Sequence, residues 1–483
     1  MNKELVQLQP KPLWNNFSKL NAVPRPSKKE ERVIAFAMDF GKNLGLETFK
    51  DEVGNVIIRK PASSGMEHKK MVTLQSHLDM VHQKNAETVF DFDTQGIQMF
   101  VEGDWVRAQG TTLGADNGMG VAAIMTLLES KDIDHPPLEA LFTIDEETGM
   151  TGAFGLKGGI LKGEVLLNLD TEEDDEIDIG CAGGVDVTAK RDYNEKSAVH
   201  GDIGYRIVVN GLKGGHSGMD INKGLGNANK IMNRLLYAGM DYHMRVGKLE
   251  GGSLRNAIPR ESISYVNIDK KQETDFLAAI TIVADTIKKE LRFVEPNLEI
   301  SFSKEKPCKK VMGLGAQAKF IKGIYAAVNG VYSLSSTIPD LVETSNNIAR
   351  IQVKEGTVTI LCLTRSSLES GKMDLANALK SVFELAGFDV DFSGSYPGWN
   401  PNPDSKMLEV TKRIYKDLFK EEPRVVACHA GLECGILGQN YPEMDMVSFG
   451  PTIVAPHSPD ERVSISSVQK FWKFLLEVLK HTP

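Results

Sequence analysis

The sequence predicts an α/β fold, a mixed-sheet domain interrupted by an inserted α+β domain. Three observations carry that expectation. Over the first 180 residues, short β-rich runs alternate with helical patterns, as in a largely parallel or mixed sheet covered on both faces. From about residue 186 the pattern becomes that of an α+β unit, and α/β character resumes only near residue 397. The length of 483 residues also exceeds the roughly 250–300 residues at which a single core stops growing. We therefore expect one domain in two parts, residues 1–185 and 397–483, and an inserted lid and dimerisation domain over 186–396.

Taken in order, residues 30–44 carry apolar positions at helical spacing, and residues 55–59 and 71–75 are β-rich. Residues 118–128 form a small-residue, apolar helix, and 138–144 and 163–169 are further strands. In the insertion, strands at 205–210 and 262–268 surround a helix at 226–238. A comparable set returns with strands at 348–353 and 357–363 and a helix at 372–386, so the insertion reads as a diverged duplication. The Pro-, Gly- and Asn-rich stretch 393–403 reads as a linker.

Composition narrows the function. With 41% apolar and 25% charged residues, the chain has the balance of an ordinary globular protein. A net charge of -9 spread along the chain argues against nucleic-acid or anionic-membrane partners. No stretch approaches 18 uninterrupted apolar residues, and the first ten lack a basic region followed by an apolar one, so neither a membrane span nor a signal peptide is expected. The odd set Cys181, Cys308, Cys362, Cys428 and Cys434 has no metal-ligand spacing and reads as reduced thiols, which implies a cytoplasmic location.

The chemistry lies in residues scattered along the chain but alike in context: His77, Asp116, the pair Glu146-Glu147, Asp170 and His457. Each stands in a short apolar or Gly-rich setting of the kind found at strand ends, where open α/β sheets bind ligands. Singly, each has a bland reading. His77-Leu-Asp79 is by default a surface ion pair, Glu146-Glu147 a solvated turn, and His457 a surface loop histidine. The Gly-rich loop 110–120 reads as a tight turn or phosphate cradle, but it puts Asp116 where an anion would sit and lacks the P-loop lysine. Together, two imidazoles and three carboxylates suit a pair of divalent ions, and the extra carboxylate, Glu146, is left to act as a base. Asp79, two residues from His77 on one strand face, can fix its ring. The acidic run at 172–176 reads as a solvated loop that adds negative potential around a cation site.

The blocks His77-Leu-Asp79, Gly114-Ala-Asp-Asn-Gly118, Asp145-Glu-Glu-Thr-Gly149, Asn168-Leu-Asp170 and Ala455-Pro-His-Ser-Pro459 resemble those of the di-zinc aminoacylase/carboxypeptidase-type metallopeptidases. Gly214-Gly-His-Ser-Gly218 and Gly252-Ser-Leu-Arg-Asn-Ala-Ile-Pro259 match as well, while His429-Ala-Gly-Leu-Glu-Cys-Gly435 looks like the aminoacyl-histidine dipeptidase branch. The resemblance implies two zinc ions, with cobalt or manganese as substitutes. His77 and Asp170 would hold one, Glu147 and His457 the other, and Asp116 would bridge them, with a cis peptide at Asp116-Asn117. It further implies hydrolysis of unblocked dipeptides, including Xaa-His such as β-alanyl-histidine, with Asp79 and Glu146 as the catalytic pair. From the lid, His216 would serve the developing oxyanion and Arg365 with Asn256 the substrate carboxylate, while His429 with Glu433 would serve the free amine. A homodimer is expected. The rivals are an aminoacylase or tripeptidase-like amidohydrolase on the same scaffold, a catalytically dead binding protein, and a phosphate-binding α/β protein.

Overall fold

The computed structural model describes residues 4–483. The opening Met1-Asn2-Lys3, part of the segment read above for a signal peptide, lies outside the described residues. The chain divides into two compact units: Met1–Gly180 with Trp399–Ala427 and Leu432–Pro483, and Cys181–Gly398 with Cys428–Gly431. The insertion thus begins earlier than residue 186, because the strand Gly183–Asp192 pairs with Thr357–Ser366 in the second unit's sheet. The stretch 393–403 is only partly a linker. Asp389–Tyr396 is a strand whose Ser393 pairs with Asp186 and whose Tyr396 pairs with Gly184. The backbone ladder there outweighs the turn-forming composition.

In the first unit an eight-stranded sheet runs in the order Glu47–Lys50, Val56–Lys60, Leu138–Thr143, Val72–His77, Val165–Asn168, Asp445–Ser448, Glu176–Cys181, Arg424–Cys428. The four strands at its centre are parallel: Val72–His77 pairs with Leu138–Thr143 and Val165–Asn168, and Val165–Asn168 with Asp445–Ser448. Three of them are buried at every position, as strands covered on both faces must be. The helix Ala115–Glu129 is apolar around its circumference and is buried from Ala115 to Leu128. A second, four-stranded sheet pairs Ile453–Val454 with Arg462–Ser464 and the latter with Trp105–Ala108. It brings the turn at 455–461 beside the start of the Gly-rich loop.

The second unit is built on a nine-stranded antiparallel sheet that joins two sets of strands. Asp202–Asn210, Arg245–Gly251, Ser262–Asp269 and Glu299–Glu305 accompany the helices Ala228–Gly239 and Glu273–Leu291. Gly183–Asp192, Val342–Lys354, Thr357–Ser366 and Asp389–Tyr396 accompany Leu314–Ala326 and Glu369–Leu385. One continuous core, with Val187, Ile207, Leu235, Phe276, Ile280, Ile360 and Phe383 fully buried, runs through both sets. No helix among the described residues is long and apolar enough to cross a membrane.

Candidate metal centre

Four neighbouring parallel strands end on one edge of the first unit's sheet, and the chain beyond each end carries the polar side chains. His77 is the last residue of its strand. Past Thr143, Asp145 takes a left-handed backbone (φ 53°), and the short helix Glu146–Gly149 starts on the two glutamates. Past Asn168 comes Asp170, and past Ser448 the hairpin that holds His457, itself at φ 61°. Asp116 arrives from another direction, at the head of Ala115–Glu129. Gly114 turns the chain at φ 71°, the Asp116-Asn117 peptide is cis, and Asp116 keeps a non-helical backbone.

These elements bring the side chains together. Asp116 offers one oxygen to each imidazole: Oδ1 lies 3.1 Å from His77 Nε2 and Oδ2 lies 3.1 Å from His457 Nε2. Asp170 Oδ1 is 3.5 Å from His77 Nε2, and Glu147 Oε2 is 2.9 Å from His457 Nε2. Ligand-type atoms of His77, Asp116 and Asp170 fall within 4.8 Å of one another, as do those of Asp116, Glu147 and His457. The two triads share Asp116. Glu146 Oε2 lies 4.0 Å from His77 Nε2; Glu146 belongs to neither of these two triads, although its ligand-type atoms also fall within 4.8 Å of those of His77 and Glu147.

The electrostatics show that this cluster needs positive charge. Burial pushes the Glu146 and Glu147 carboxyls up, Glu146 well up, and neighbouring carboxylates add to it. Burial opposes a charge on His77, yet Asp170, Asp116 and Asp79 outweigh it and hold the imidazole well above its ordinary range. Hydrogen bonds to Asp116 and Glu147 raise His457 to about 11. Asp116 itself is held well below the usual carboxylate range, because the bonds from His457 and His77 overcome its burial. Protons retained here are the ones that bound cations displace. Two imidazoles and three carboxylates are a donor set for divalent ions. Glu147 Oε1, buried with no hydrogen-bond partner, leaves a lone pair for one of them. The residues fit a divalent metal.

Supporting groups lie directly behind. Asp79 Oδ1 is 3.4 Å from His77 Nδ1 and accepts the Glu146 N–H at 3.0 Å, while its Oδ2 accepts from Ser27 Oγ at 2.8 Å and from the Glu147 N–H at 3.3 Å. One carboxylate therefore steadies an imidazole and both glutamates. At the ends of the central strands, a buried polar chain crosses the sheet. Gln75 donates to Glu433 at 2.6 Å, Asn168 donates to Gln75, Ser448 donates to Asn168, and Thr171 donates to Asp178 at 2.7 Å. Glu433, expected to read the substrate amine, has no exposed surface. Its Oε2 is taken by Gln75 and Thr143, and burial raises its carboxyl to about 8. Glu172, the first residue of the acidic run expected to add negative potential around a cation site, has its carboxyl pushed well up by burial and then by Asp116 and Asp170.

The remaining candidates sit in the second unit. A two-residue ladder pairs Gly215-His216 with Ala257-Ile258, and the Ser217 N–H donates to the Asn256 carbonyl at 2.7 Å. Arg365 is 4% exposed; its Nη1 donates to Tyr396 Oη at 2.7 Å and its Nη2 lies 3.4 Å from His216 Nε2. Among the described residues no carboxylate forms an ion pair with it. His429 Nε2 is 2.8 Å from Ser345 Oγ. Burial and the nearby Arg365 lower His216 to about 4 and His429 to about 3, so both rings are neutral. His216, Arg365 and His429 thus form one cluster, with Asn256 on the adjoining exposed turn.

Comparison with known proteins adds four findings. The profile of peptidase family M20/M25/M40 matches residues 73–481. The chain is 42% identical over 481 residues to the cytosol non-specific dipeptidase of Escherichia coli (strain K12), covering 99% of each. The crystal structure of the aminoacylhistidine dipeptidase from Vibrio alginolyticus superposes with a TM-score of 0.93 at 44% identity, over 100% of this chain and 99% of that one. An aminopeptidase structure from Bacillus cereus shares the fold alone, with a TM-score of 0.58 at 17% identity.

Proposed function

The chain belongs to peptidase family M20/M25/M40 and is a hydrolase, and from that premise we propose that it is a cytoplasmic dipeptidase acting on unblocked dipeptides, Xaa-His included. The observation that carries this reading is the pair of triads sharing Asp116, with Glu146 beside them. The names borne by the two relatives, each similar over its full length, point to the same substrates.

His77 and Asp170 would hold one zinc ion, Glu147 and His457 the other, and Asp116 both, with cobalt or manganese as substitutes. Two such ions supply Lewis acidity to the scissile carbonyl and lower a water's pKa from about 15.7 towards 7. The rest of the work falls to the chain's own groups. Glu146 takes the proton from the attacking water and returns it to the leaving amine nitrogen. Asp79 keeps the His77 ring oriented and fixes the backbone from which Glu146 and Glu147 project. In the second unit, Arg365 is a buried cation with no carboxylate within ion-pair distance among the described residues, and a substrate carboxylate supplies one. Asn256 assists it, neutral His216 is the donor to the developing oxyanion, and His429 is the remaining candidate for the amine. We place Glu433 beneath the ligands as a support. The active form is proposed to be a homodimer.

Purified protein supplied with zinc should release histidine from β-alanyl-histidine and also cleave a neutral dipeptide. Both activities should vanish on chelation and return with zinc. Cleavage of an N-acylated amino acid or a tripeptide instead would keep the scaffold and move the function to deacylation or tripeptide hydrolysis. Arg365→Lys keeps the charge but cannot grip a carboxylate with two parallel bonds. It should raise KM about 10-fold or more, with a much smaller change in kcat, for a free dipeptide. For the same dipeptide amidated at its C-terminus, the difference from wild type should disappear.

A further inference from the structure

Two buried, oppositely charged residues outside the ligand set converge on one short stretch of backbone, residues 113–116. From one side comes Glu461, 2% exposed, four residues after His457 in the same turn. Its Oε2 accepts the N–H groups of Leu113 at 2.7 Å and Gly114 at 2.9 Å. Its Oε1 accepts those of Ala115 at 2.7 Å and Asp116 at 3.3 Å. Four consecutive amides point at one carboxylate, as a backbone nest points at a bound anion. From the other side comes Arg25, 1% exposed. Its Nη2 donates to the Gly114 carbonyl at 2.5 Å and to Asn21 Oδ1 at 3.0 Å. Its Nη1 donates to the carbonyls of Leu78 and Asp79, both at 3.0 Å.

The consequence is geometric. Glu461 ties the turn that carries His457 to the loop that carries Asp116, and Arg25 ties that loop to the segment following His77. Two glycines make room for the guanidinium. A Cβ at Gly114 would lie 2.5 Å from Arg25 Nη2, and one at Gly118 2.6 Å from it. Three ligands that are remote in sequence are thereby registered to one another by hydrogen bonds that involve no ligand side chain.

We propose that Arg25 and Glu461 are paired positioning residues of the metal centre, setting the place of the shared carboxylate Asp116 against His77 and His457. The proposal rests on the metal-ligand reading given above. It assigns these residues no contact with substrate or metal.

Glu461→Gln exchanges one oxygen for an amide nitrogen, which faces two backbone N–H groups it cannot accept. Arg25→Lys keeps the charge but cannot span four carbonyl-type acceptors. Metal-free wild type and both variants would be titrated with cobalt(II), reading the visible absorption and the affinity, with folding checked by circular dichroism. Leu141→Ala, a core truncation in the same unit, serves as the stability control. Each folded positioning variant should bind cobalt about 10–100-fold more weakly than wild type, with an altered absorption band. After zinc loading kcat should fall while KM holds. The control should lose thermal stability and keep the wild-type band. A folded Glu461→Gln or Arg25→Lys protein with wild-type affinity and band overturns the proposal. Should Glu461→Gln not fold, Arg25→Lys and Glu461→Asp decide by the same criteria. A wild-type protein that binds no cobalt defeats the metal reading itself, an outcome separate from failure of the positioning role.

Discussion

Glu146→Gln should reduce kcat by about 10²–10⁴-fold, the contribution typical of a positioned general base, while KM and bound metal stay at wild-type levels. Several features single out this carboxylate. It stands beside the two triads without belonging to the pair that share Asp116. Its backbone N–H is fixed by Asp79, so the side chain departs from a defined point. Burial, with Asp170, Glu147 and Glu433 nearby, gives it a proton affinity far above that of an ordinary glutamate, with His77 acting against them. A group that accepts a proton from water and then yields it needs an affinity near the working pH, and adjacent cations draw a raised carboxyl back towards that range. Gln retains the shape and cannot take the proton. The check is steady-state kinetics on β-alanyl-histidine with metal content measured on the same sample. A loss of less than about 10-fold would move the base to another group, with Glu172 the next to be tested. Weakened metal binding would instead mean that Glu146 is a ligand.

Much of the fold and of this centre was legible in the sequence, for a physical reason. Central parallel strands are buried on both faces and rich in apolar residues, so charged or ligand-type residues at or just past their ends are conspicuous; His77, Glu146-Glu147 and Asp170 all stand there. The groups behind them carried a fainter signal. Gln75, Asn168 and Ser448 are polar residues at or near the ends of otherwise apolar strands, and a buried amide or hydroxyl requires a partner. That requirement could have suggested the chain of bonds across the sheet. Arg25 and Glu461 left no such trace. Arg25 stands between two prolines and Glu461 between Asp and Arg, settings indistinguishable from a surface loop, and their burial results from tertiary contacts with residues 78–79 and 113–116. Glu433 carried a misleading signal for the opposite reason. A glutamate beginning a short helix looks solvent-facing, whereas here that helix begins inside the core.

Asp116→Asn provides the sharpest test of the shared ligand, because it removes one charge from both triads in a single change. Each Asp116 oxygen faces its own imidazole at 3.1 Å, so an amide can present an oxygen to only one side and must turn N–H donors to the other. Even groups that merely orient ligands cost about 10–100-fold in metal affinity when altered. A carboxylate common to both ions should cost more than about 100-fold at each, and after equilibrium dialysis against limiting zinc the variant should retain almost none. His457→Ala is the informative contrast. It takes a ligand from the triad with Glu147 and leaves His77, Asp116 and Asp170 whole, so the variant should keep close to one equivalent of metal. If Asp116→Asn also kept one equivalent, Asp116 would serve a single ion, and the two triads would be independent sites. If both variants kept none, the ions would bind only as a pair, and each triad would depend on the charge held by the other.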